Sequence, residues 1–382
     1  MPAIEASAPI DADLYLGLIS GTSADGIDAV LARFEPRLHV VAAHTTPYPR
    51  AVRERVLALA TSAAAIALDD YGCLDVQIGE AFAAAANGLL RQAGVDASTV
   101  AAIGSHGQTV RHRPDGAHPF TLQIGDPSVI AEHTGIATVA DFRRADVAAG
   151  GQGAPLLPAL HAAVFAHASI SRAVLNLGGI GNLTILAPGE DVLGFDTGPA
   201  NCLLDAWAAR HLGTSRDEGG TWARSGTAIP DLLADWLTEP YFAAPPPKSS
   251  GREVFNLDWL DARLPANLAP VDVQATLLHL SARSIADALR AHGRGTREVY
   301  GCGGGVHNNA LMDALRDELP DVHVDTTTAL GLDPDYVEAV GFAWLARARI
   351  AGQPGNLPSV TGARGPRLLG AIYPAPSLPM SR

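Results

Sequence analysis

Short apolar runs alternate with amphipathic segments along most of the chain. Three strand-length apolar runs stand near the beginning, at about 14–20, 27–34 and 37–44. Apolar side chains then recur at helical spacing, first at Val52, Val56 and Leu59, and later along 229–238, 274–292 and 335–350. Strands that alternate with helices in this way predict an α/β fold.

The opening strand–bend–strand pattern returns in the middle of the chain. The first copy, LYLGLISGTSADGIDAVLARF, covers 14–34, and the second, SRAVLNLGGIGNLTIL, covers 171–186. This repeat predicts two similarly built domains, which we place at 1–140, completed by 352–382, and at 141–351. In α/β sheets a ligand binds at the carboxyl ends of the strands. The loops that follow these strands are therefore the first candidates for a site.

Composition and charge narrow the class of protein. The 382 residues are 47% hydrophobic and 18% charged, which is enough apolar material for a sizeable core. The net charge of −13 argues against nucleic acid or an anionic membrane as the main partner. No run reaches the roughly 18 apolar residues of a membrane helix, and the N-terminus does not have the pattern of a signal peptide. We therefore expect a soluble, cytoplasmic protein.

Two residue types are scarce in an informative way. The only lysine is Lys248, so a Gly-Lys-Ser/Thr phosphate loop is impossible and Schiff-base chemistry would depend on this one residue. The three cysteines, Cys73, Cys202 and Cys302, lie far apart and match neither a disulfide framework nor a structural zinc site. Any phosphate site must therefore work without a phosphate-loop lysine.

Three glycine-rich loops follow apolar strands, namely SGTSADG at 20–26, GGIGN at 178–182 and GCGGG at 301–305. Glycine allows positive φ and close approach of the backbone, and successive N–H groups bind anions. A dinucleotide fingerprint would need a further glycine at Val306 or Asn308, and a Gly-x-Ser-x-Gly nucleophile turn is absent. The loops therefore favour phosphoryl transfer in which backbone groups, hydroxyls and Mg²⁺ neutralise the phosphates.

Carboxylates stand beside two of these loops. Asp25 and Asp28 lie in and just after the first bend, and Asp196 directly follows the predicted strand DVLGF. Asp-Thr-Gly at 196–198 also matches an aspartic protease fragment, but that class needs two such carboxylates and this chain has one copy. A lone aspartate there suits a general base or a water activator. Its alternative role is to cap the helix at 201–212, for which Asn201 is better placed.

Polar side chains also cluster on the loops at 104–109 and 141–155. They are His106, Gln108, Asp141, Arg143, Arg144, Asp146 and Gln152, and we expect them to face one cleft. An arginine there would suit a carboxylate or phosphate, whereas His106 could equally make a structural hydrogen bond. The helix near Pro334, with Asp333 as its N-cap, carries Glu338, which we expect to be half-buried and which could also be an ordinary solvated acid.

Several segments together resemble a known family. The two openings and the GCGGG loop are similar to the phosphate and adenosine loops of the acetate kinase–sugar kinase–Hsp70–actin superfamily. GLISGTSADGIDAVL, IGSHGQTVRH, TLQIGDP, ADFRRADVAAGGQGAPLLP, LNLGGIGNLT, GFDTGPAN, KSSGREVFN and GCGGGVHN closely resemble the anhydro-N-acetylmuramic acid kinase family, in order, from about Leu14 to Pro374. The resemblance implies two actin-like (ribonuclease H-like) domains around a central nucleotide cleft.

The resemblance also implies an activity. The family uses ATP and water to open the 1,6-anhydro bridge of anhydro-N-acetylmuramate and phosphorylates O6, giving N-acetylmuramate 6-phosphate and ADP in cell-wall recycling. Its catalytic aspartate corresponds to Asp196. Its nucleotide-binding positions correspond to Gly21, Thr22, Ser23, Ala24, Asp25, Gly26, Ile27, Asp28, Gly178, Gly179, Gly303 and Gly304. Its sugar-contacting glutamate corresponds to Glu338. We expect Arg143 to bind the lactyl carboxylate of the sugar, and His106 and Gln108 to be substrate-binding residues as well.

The family implies ATP and Mg²⁺ as cofactors, an amino sugar as partner, and a homodimer. The metal ligands stay open, with ATP phosphates, water and the neighbourhood of Asp25 as candidates. This chain departs from the common family pattern at Ile19, Ala24, Thr197 and Ala200 without losing a group that the chemistry needs. Two alternatives remain, namely another sugar kinase of the superfamily and a non-enzymatic actin-like nucleotide switch.

Overall fold

The computed structural model describes residues 14–21, 24–61, 66–251 and 253–376. Its strands are β1 (Leu14–Ser20), β2 (Ile27–Arg33), β3 (His39–Thr46), β4 (Val100–Arg113), β5 (Phe120–Ile124), β6 (Thr138–Ala140), β7 (Arg172–Leu177), β8 (Ile180–Leu186), β9 (Leu193–Pro199), β10 (Glu298–Cys302), β11 (His323–Thr326) and β12 (Ala371–Tyr373). The early strands predicted at about 14–20 and 27–34 are therefore confirmed as β1 and β2, and the strand predicted at about 37–44 lies about two residues later, as β3.

The helices are α1 (Arg50–Thr61), α2 (Leu68–Ala93), α3 (Pro127–Thr134), α4 (Arg144–Ala148), α5 (Pro158–Phe165), α6 (Cys202–Leu212), α7 (Thr221–Ser225), α8 (Pro230–Trp236), α9 (Pro240–Ala243), α10 (Leu257–Asp261), α11 (Pro270–His292), α12 (Asn309–Glu318), α13 (Val337–Ile350) and α14 (Pro358–Thr361). The predicted first-turn position of Pro230 is confirmed, as is the cap at Asp333, whose carboxylate accepts from the Asp335 N–H at 3.0 Å. The helix predicted at 274–292 begins earlier, because Pro270 suits its first turn.

The chain divides into two compact units. Unit 1 contains 1–154, 338–356 and 363–382, and unit 2 contains 155–337 and 357–362. The units therefore group 141–154 and 338–351 with the first sheet, whereas the domain bounds expected from the sequence group them with the second. None of the helices that the structure describes is long and apolar enough to cross a membrane.

Unit 1 is built on a sheet with strand order β12-β6-β4-β1-β2-β3, and β5 pairs with β4. Strands β1, β2 and β3 are antiparallel to one another, whereas β4 runs parallel to β1 and to β6. Every residue of β1 is buried. Its side chains Leu16 and Leu18 lie in one apolar cluster with Ile78 and Phe82 of α2, so one face of β1 is covered by this helix.

The other face of β1 lies against α13. Successive side chains of a strand point to opposite faces, so Gly17 faces away from α2. A Cβ at Gly17 would collide with the carbonyl oxygen of Ala339, and a Cβ at Gly104 of β4 would collide with that of Phe342. Glycine therefore allows the α13 backbone to rest directly on the sheet. This packing lays Ala339 over β1 and Phe342 over β4, and Glu338 directly precedes Ala339.

Unit 2 repeats the plan on a sheet with order β11-β10-β7-β8-β9. Here β7, β8 and β9 are antiparallel, and β10 runs parallel to β7 and to β11. Its core includes Phe195, Trp236, Leu277 and Ile285, the last two on the 23-residue helix α11. Both sheets therefore join three antiparallel strands to parallel strands, which confirms the prediction of two similarly built α/β units.

Candidate active site

The first bend joins β1 to β2, and Thr22 and Ser23, which the sequence assigns to it, lie outside the described residues. The Ala24 N–H donates to the Gly21 carbonyl at 3.1 Å, and Ala24 has a φ of 50° although its side chain is fully buried. Arg53 of α1 holds the bend from outside, since Nε donates to the Ala24 carbonyl at 3.0 Å and Nη2 to Asp25 Oδ1 at 2.7 Å. Arg53 thus holds the Ala24–Asp25 end of the bend in place.

The remaining residues of the bend serve different purposes. Ile27 is fully buried in the core of unit 1, so its side chain serves the packing of the sheet. Asp28 Oδ1 accepts a hydrogen bond from Thr45 Oγ1 at 2.6 Å, and Gly26 lies so close to Thr45 that a Cβ would be 2.8 Å from its methyl carbon. Gln108 is fully buried and donates through Nε2 to the Gly21 carbonyl at 3.2 Å. The structure therefore brings Gln108 to the bend.

His106 and Arg143 form a direct pair. His106 Nδ1 lies 3.0 Å from the Gly107 carbonyl oxygen, which can only accept, so Nδ1 carries the proton. The other ring nitrogen, Nε2, then accepts from Arg143 Nε at 3.0 Å. Burial, and secondarily the charge of Arg143, hold the pKa of His106 well below its usual range. His106 is thus a neutral hydrogen-bond acceptor, packed 4.6 Å from the Phe342 ring of α13.

A second contact fixes the Arg143 guanidinium, whose Nη1 donates to the Gly153 carbonyl at 2.7 Å. Loss of hydration lowers the pKa of Arg143 to about 10, while the nearby charges of Glu338 and Asp146 act in the opposite direction. The guanidinium therefore stays charged at neutral pH. Glu338, in the first turn of α13, is half-buried as expected. The structure brings His106, Arg143 and Glu338 together in unit 1.

The other polar residues of the 141–155 loop have structural contacts. Asp146 is fully buried, and its carboxylate accepts from the Gly153 N–H at 2.7 Å and from Asn356 Nδ2 at 2.6 Å. Asp141 forms an ion pair with Arg144 at 3.4 Å. Asp146 and Arg143 therefore hold Gly153 through its N–H and its carbonyl respectively, which keeps the loop that carries Arg143 in place.

Asp196 lies in unit 2, within β9 and not just after a strand as the sequence suggested, because β9 continues through the Asp-Thr-Gly segment. Its Oδ1 accepts from Asn182 Nδ2 at 2.8 Å, and its Oδ2 accepts from Ser249 Oγ and the Ser250 N–H, each at 3.0 Å. Burial raises the pKa of Asp196, these three donors oppose the rise, and the charge of Glu253 adds to it. The result is a carboxylate held in one orientation with enhanced basicity.

The two glycine loops of unit 2 lie against each other. Gly303 has a φ of 78°, and a Cβ there would collide with Asn176 Oδ1, so only glycine fits this turn. A Cβ at Gly305 would be 2.7 Å from the carbonyl oxygen of Leu177, which directly precedes Gly178 and Gly179. Gly304 has open space at its Cα. The packing of these loops leaves a backbone surface that a nucleotide could approach closely.

The residue predicted to cap α6 has a different partner. Asn201 occupies the N-cap position, but its side chain does not bond to the helix backbone. Its Nδ2 instead donates to the Gly178 carbonyl at 2.9 Å, and its N–H donates to the same oxygen at 3.2 Å. The Gly179 carbonyl accepts from the Ala200 and Cys202 N–H groups. The start of α6 therefore holds the Gly178–Gly179 bend in place.

Sequence reasoning missed the donors around Asp196. Asn182 was visible as a polar residue in an apolar strand, and it is the register partner of Asp196 across β8 and β9. Ser249 and Ser250 stand 53 and 54 residues away along the chain, and nothing in their local pattern indicated the contact. Throughout 14–21, 24–61, 66–251 and 253–376, no three His, Cys, Asp or Glu side chains are grouped so that they could hold a metal ion.

A family profile described as anhydro-N-acetylmuramic acid kinase matches residues 13–375 of this chain. The chain belongs to the anhydro-N-acetylmuramic acid kinase family. The match covers every element from β1 to β12. It therefore includes the first bend, both glycine loops of unit 2 and all the site residues that the sequence predicts.

Named relatives agree with this assignment to the anhydro-N-acetylmuramic acid kinase family. A protein of that name from Xanthomonas oryzae pv. oryzae is 57% identical over 380 residues, covering 98% of this chain and all of the relative. One from Coxiella burnetii is 49% identical over 362 residues, covering 94% and 97%. The chain therefore spans these relatives almost completely.

Solved structures with related architecture are more distant from this family member. The activator of the 2-hydroxyisocaproyl-CoA dehydratase from Clostridium difficile, with bound ADPNP, has a TM-score of 0.44 at 12% identity, covering 89% of this chain and 97% of that one. A ROK family glucokinase from Streptomyces griseus, in complex with glucose and AMPPNP, has a TM-score of 0.41 at 16% identity, covering 87% and 99%.

Proposed function

We propose that this chain is an ATP-dependent kinase that opens the 1,6-anhydro ring of anhydro-N-acetylmuramate with water and phosphorylates O6. The products are N-acetylmuramate 6-phosphate and ADP, and the reaction belongs to cell-wall recycling. Membership of the family supports this substrate and cofactor. The observation that carries the chemistry is the Asp196 carboxylate, which is held by three donors while burial raises its pKa.

Asp196 acts as the general base in this proposal. A carboxylate with a raised pKa accepts a proton more readily than an exposed one. It removes a proton from a water molecule, whose oxygen forms a bond to the anomeric carbon as the bond from that carbon to O6 breaks. The electron pair of that bond remains on O6, which attacks the γ-phosphorus of ATP, and ADP leaves. The proton on Asp196 then passes to solvent, so one base serves both steps.

The first bend and the two glycine loops of unit 2 bind ATP. Backbone N–H groups between Gly21 and Asp28 contact its phosphates, joined by the hydroxyls of Thr22 and Ser23. Gly178, Gly179, Gly303 and Gly304 allow the backbone to approach the nucleotide without side-chain obstruction. Electrostatic stabilisation by such fixed donors is the main source of rate in phosphoryl transfer.

Mg²⁺ accompanies ATP in this proposal and neutralises the charge of its phosphates. Asp25 already forms an ion pair with Arg53 at 2.7 Å, and Asp28 accepts from Thr45. These contacts favour a metal that would be held by ATP phosphates and water in the neighbourhood of Asp25. The chain's own contribution is then to orient the phosphates.

The sugar is bound by Arg143 and Glu338. Arg143 takes the lactyl carboxylate, because a guanidinium forms paired hydrogen bonds with a carboxylate. Glu338 accepts from a sugar hydroxyl or amide. We propose that His106 supports the sugar through Arg143, whose Nε it holds, and that Gln108 supports catalysis through the Gly21 carbonyl. We further propose a homodimer and a cytoplasmic location, as the family resemblance suggests.

Product analysis tests this function. The purified protein is incubated with ATP, Mg²⁺ and anhydro-N-acetylmuramate. Parallel reactions replace the anhydro sugar with N-acetylmuramate or N-acetylglucosamine. The masses of the products are measured by mass spectrometry. The proposal expects a product heavier than the anhydro sugar by one phosphoryl group and one water. Faster phosphorylation of an ordinary sugar would favour another kinase of the superfamily. ATP hydrolysis without any sugar phosphate would favour a nucleotide switch.

A further inference from the structure

The loop 241–250 surrounds Asp196 on both its backbone and its carboxylate. The Asp196 N–H donates to the Lys248 carbonyl at 3.1 Å, and its carbonyl accepts from the Tyr241 hydroxyl at 2.9 Å. The same loop supplies Ser249 Oγ and the Ser250 N–H to Oδ2. The position of the carboxylate therefore depends on the conformation of this one loop.

The side chain of Lys248 joins the two ends of that loop. Its Nζ donates to the carbonyls of Tyr241 and Phe242, both at 3.1 Å. These carbonyls belong to α9, a helix of four residues, and the Tyr241 carbonyl also accepts from the Ala244 N–H at 3.2 Å. The ammonium also lies 4.8 Å from the centre of the Tyr241 ring and 5.9 Å from that of Phe195. One cation thus fixes residue 248 against residues 241 and 242.

We propose that Lys248 is a positioning residue for Asp196, whose ammonium holds the loop 241–250 in the conformation that lets Ser249 and Ser250 bond to the carboxylate. The inference rests on the proposed function, in which Asp196 is the base. It gives the only lysine of the chain a role in orientation instead of covalent chemistry. Both hydrogen bonds of the Lys248 ammonium, at 3.1 Å, lie within the ordinary range for a nitrogen donor and a carbonyl acceptor.

The charges around Asp196 determine the sign of the expected effect. Three titratable groups interact electrostatically with Asp196, namely Tyr241, Lys248 and Glu253. His292 of α11 packs against the Phe195 ring, and its pKa is lowered by burial and, to a lesser extent, by the charge of Lys248. The Ser249 and Ser250 hydrogen bonds favour the ionised carboxylate, as does the positive charge of Lys248. Loss of the lysine therefore raises the pKa of Asp196.

The test compares Lys248→Met with Lys248→Arg and with Arg210→Met. Arg210 places its guanidinium 5.4 Å from the Trp207 ring in the same unit and bonds to Asp261, so its variant is a matched loss of a cation above an aromatic ring. Lys248→Met is expected to lower kcat by about 10- to 100-fold, because small misplacements of a base are costly. It is also expected to move the acidic limb of kcat/KM upward by about one pH unit. Lys248→Arg should recover most of both changes, and Arg210→Met should match the parent.

A limb that does not move in Lys248→Met would overturn the inference, even if kcat falls, because a merely structural loss does not change the pKa of the base. An inactive parent protein would instead contradict the proposed function.

The contacts can then be tested separately by ¹⁵N-lysine labelling, which gives one side-chain signal because the chain has one lysine. A slowly exchanging ammonium signal that shifts in Tyr241→Phe supports the loop contacts. Exchange as fast as in a short peptide contradicts them.

Discussion

The hydrogen bond from Asn182 to Asp196 makes a quantitative prediction about pH dependence. Asn182 Nδ2 donates to Asp196 Oδ1 at 2.8 Å across β8 and β9. Substitution Asn182→Leu keeps a side chain of similar size and removes the donor. The two donors to Oδ2 remain, so the change weakens the ionised form of the base without removing the base.

The size of the effect follows from the energy of one hydrogen bond to a charged group. Such bonds contribute about 1.5–3 kcal/mol, and one pKa unit corresponds to about 1.4 kcal/mol. Because Asp196 is half-buried and keeps two other donors, we take the lower end of this range. The pKa of Asp196, already raised by burial, should rise by about one further unit. At pH values below the pKa of Asp196, on the acidic limb of the pH profile, kcat/KM should then fall about 10-fold. Well above that pKa it should change little.

The assay is kcat/KM for anhydro-N-acetylmuramate across overlapping buffers, with ADP measured directly so that no coupling enzyme limits the profile. Thr184→Val is the control, since Thr184 lies two residues along β8 and bonds to His161 Nδ1, not to Asp196. It should leave the limb in place. A limb that stays fixed in Asn182→Leu, or that moves to lower pH, would refute the reasoning that Asp196 ionisation controls the rate.

Stability gives an independent check of the sign. A carboxyl group whose pKa is raised in the folded state binds protons more tightly there than in the unfolded chain. Its ionisation therefore costs stability as pH rises from its ordinary value of 3.8 through the folded-state pKa. Asn182→Leu raises that pKa further. The difference in Tm between the parent and Asn182→Leu should therefore widen as pH rises through this window and become constant above it.

Three further predictions concern other parts of the structure. Asp196→Asn should lower kcat by at least about 10²-fold while ATP binding, measured by calorimetry, stays nearly unchanged; near-normal turnover would remove Asp196 from the role of base. Arg143→Lys should raise the KM for the anhydro sugar about 10-fold or more and leave that for ATP within about twofold, because one ammonium cannot replace the guanidinium fork; equal changes in both KM values would contradict the assignment to sugar. Gly104→Ala should lower the free energy of unfolding by about 1–3 kcal/mol through collision with the Phe342 carbonyl, whereas Gly88→Ala on α2, where a Cβ meets nothing within 4 Å, should raise it by about 0.5–1 kcal/mol; equal Tm shifts would contradict the packing of α13 on the sheet.

The apolar pattern was sufficient to predict the elements that form hairpins and amphipathic helices. The strand β1 and the β7–β8 hairpin follow directly from short apolar runs that flank glycine bends. The pattern could not predict that α13 returns to the first sheet, because that packing depends on the absence of side chains at Gly17 and Gly104. A missing side chain carries little hydrophobic signal, although it determines how closely two backbones approach.

The site shows the same division between local and distant information. Asp196 was predicted as a base from one short motif, and its neighbour Asn182 could be inferred from strand register. The role of Asn201 was misread, because the N-cap rule considers only its own helix and not the Gly178 carbonyl that approaches from the preceding hairpin. The loop that carries Lys248, Ser249 and Ser250 returns to Asp196 from a distant part of the chain. A local sequence pattern does not encode the path of that loop.

The most direct test of the central claim follows the oxygen atom of water. The reaction with anhydro-N-acetylmuramate, ATP and Mg²⁺ is run in ¹⁸O-water, and the product is analysed by mass spectrometry with fragmentation. A control incubates unlabelled product in ¹⁸O-water for the same time, which measures exchange at the anomeric carbon. Our account predicts ¹⁸O at C1 above this control and none in the transferred phosphoryl group. Phosphorylated product with no excess label at C1 would contradict hydrolytic opening of the anhydro ring.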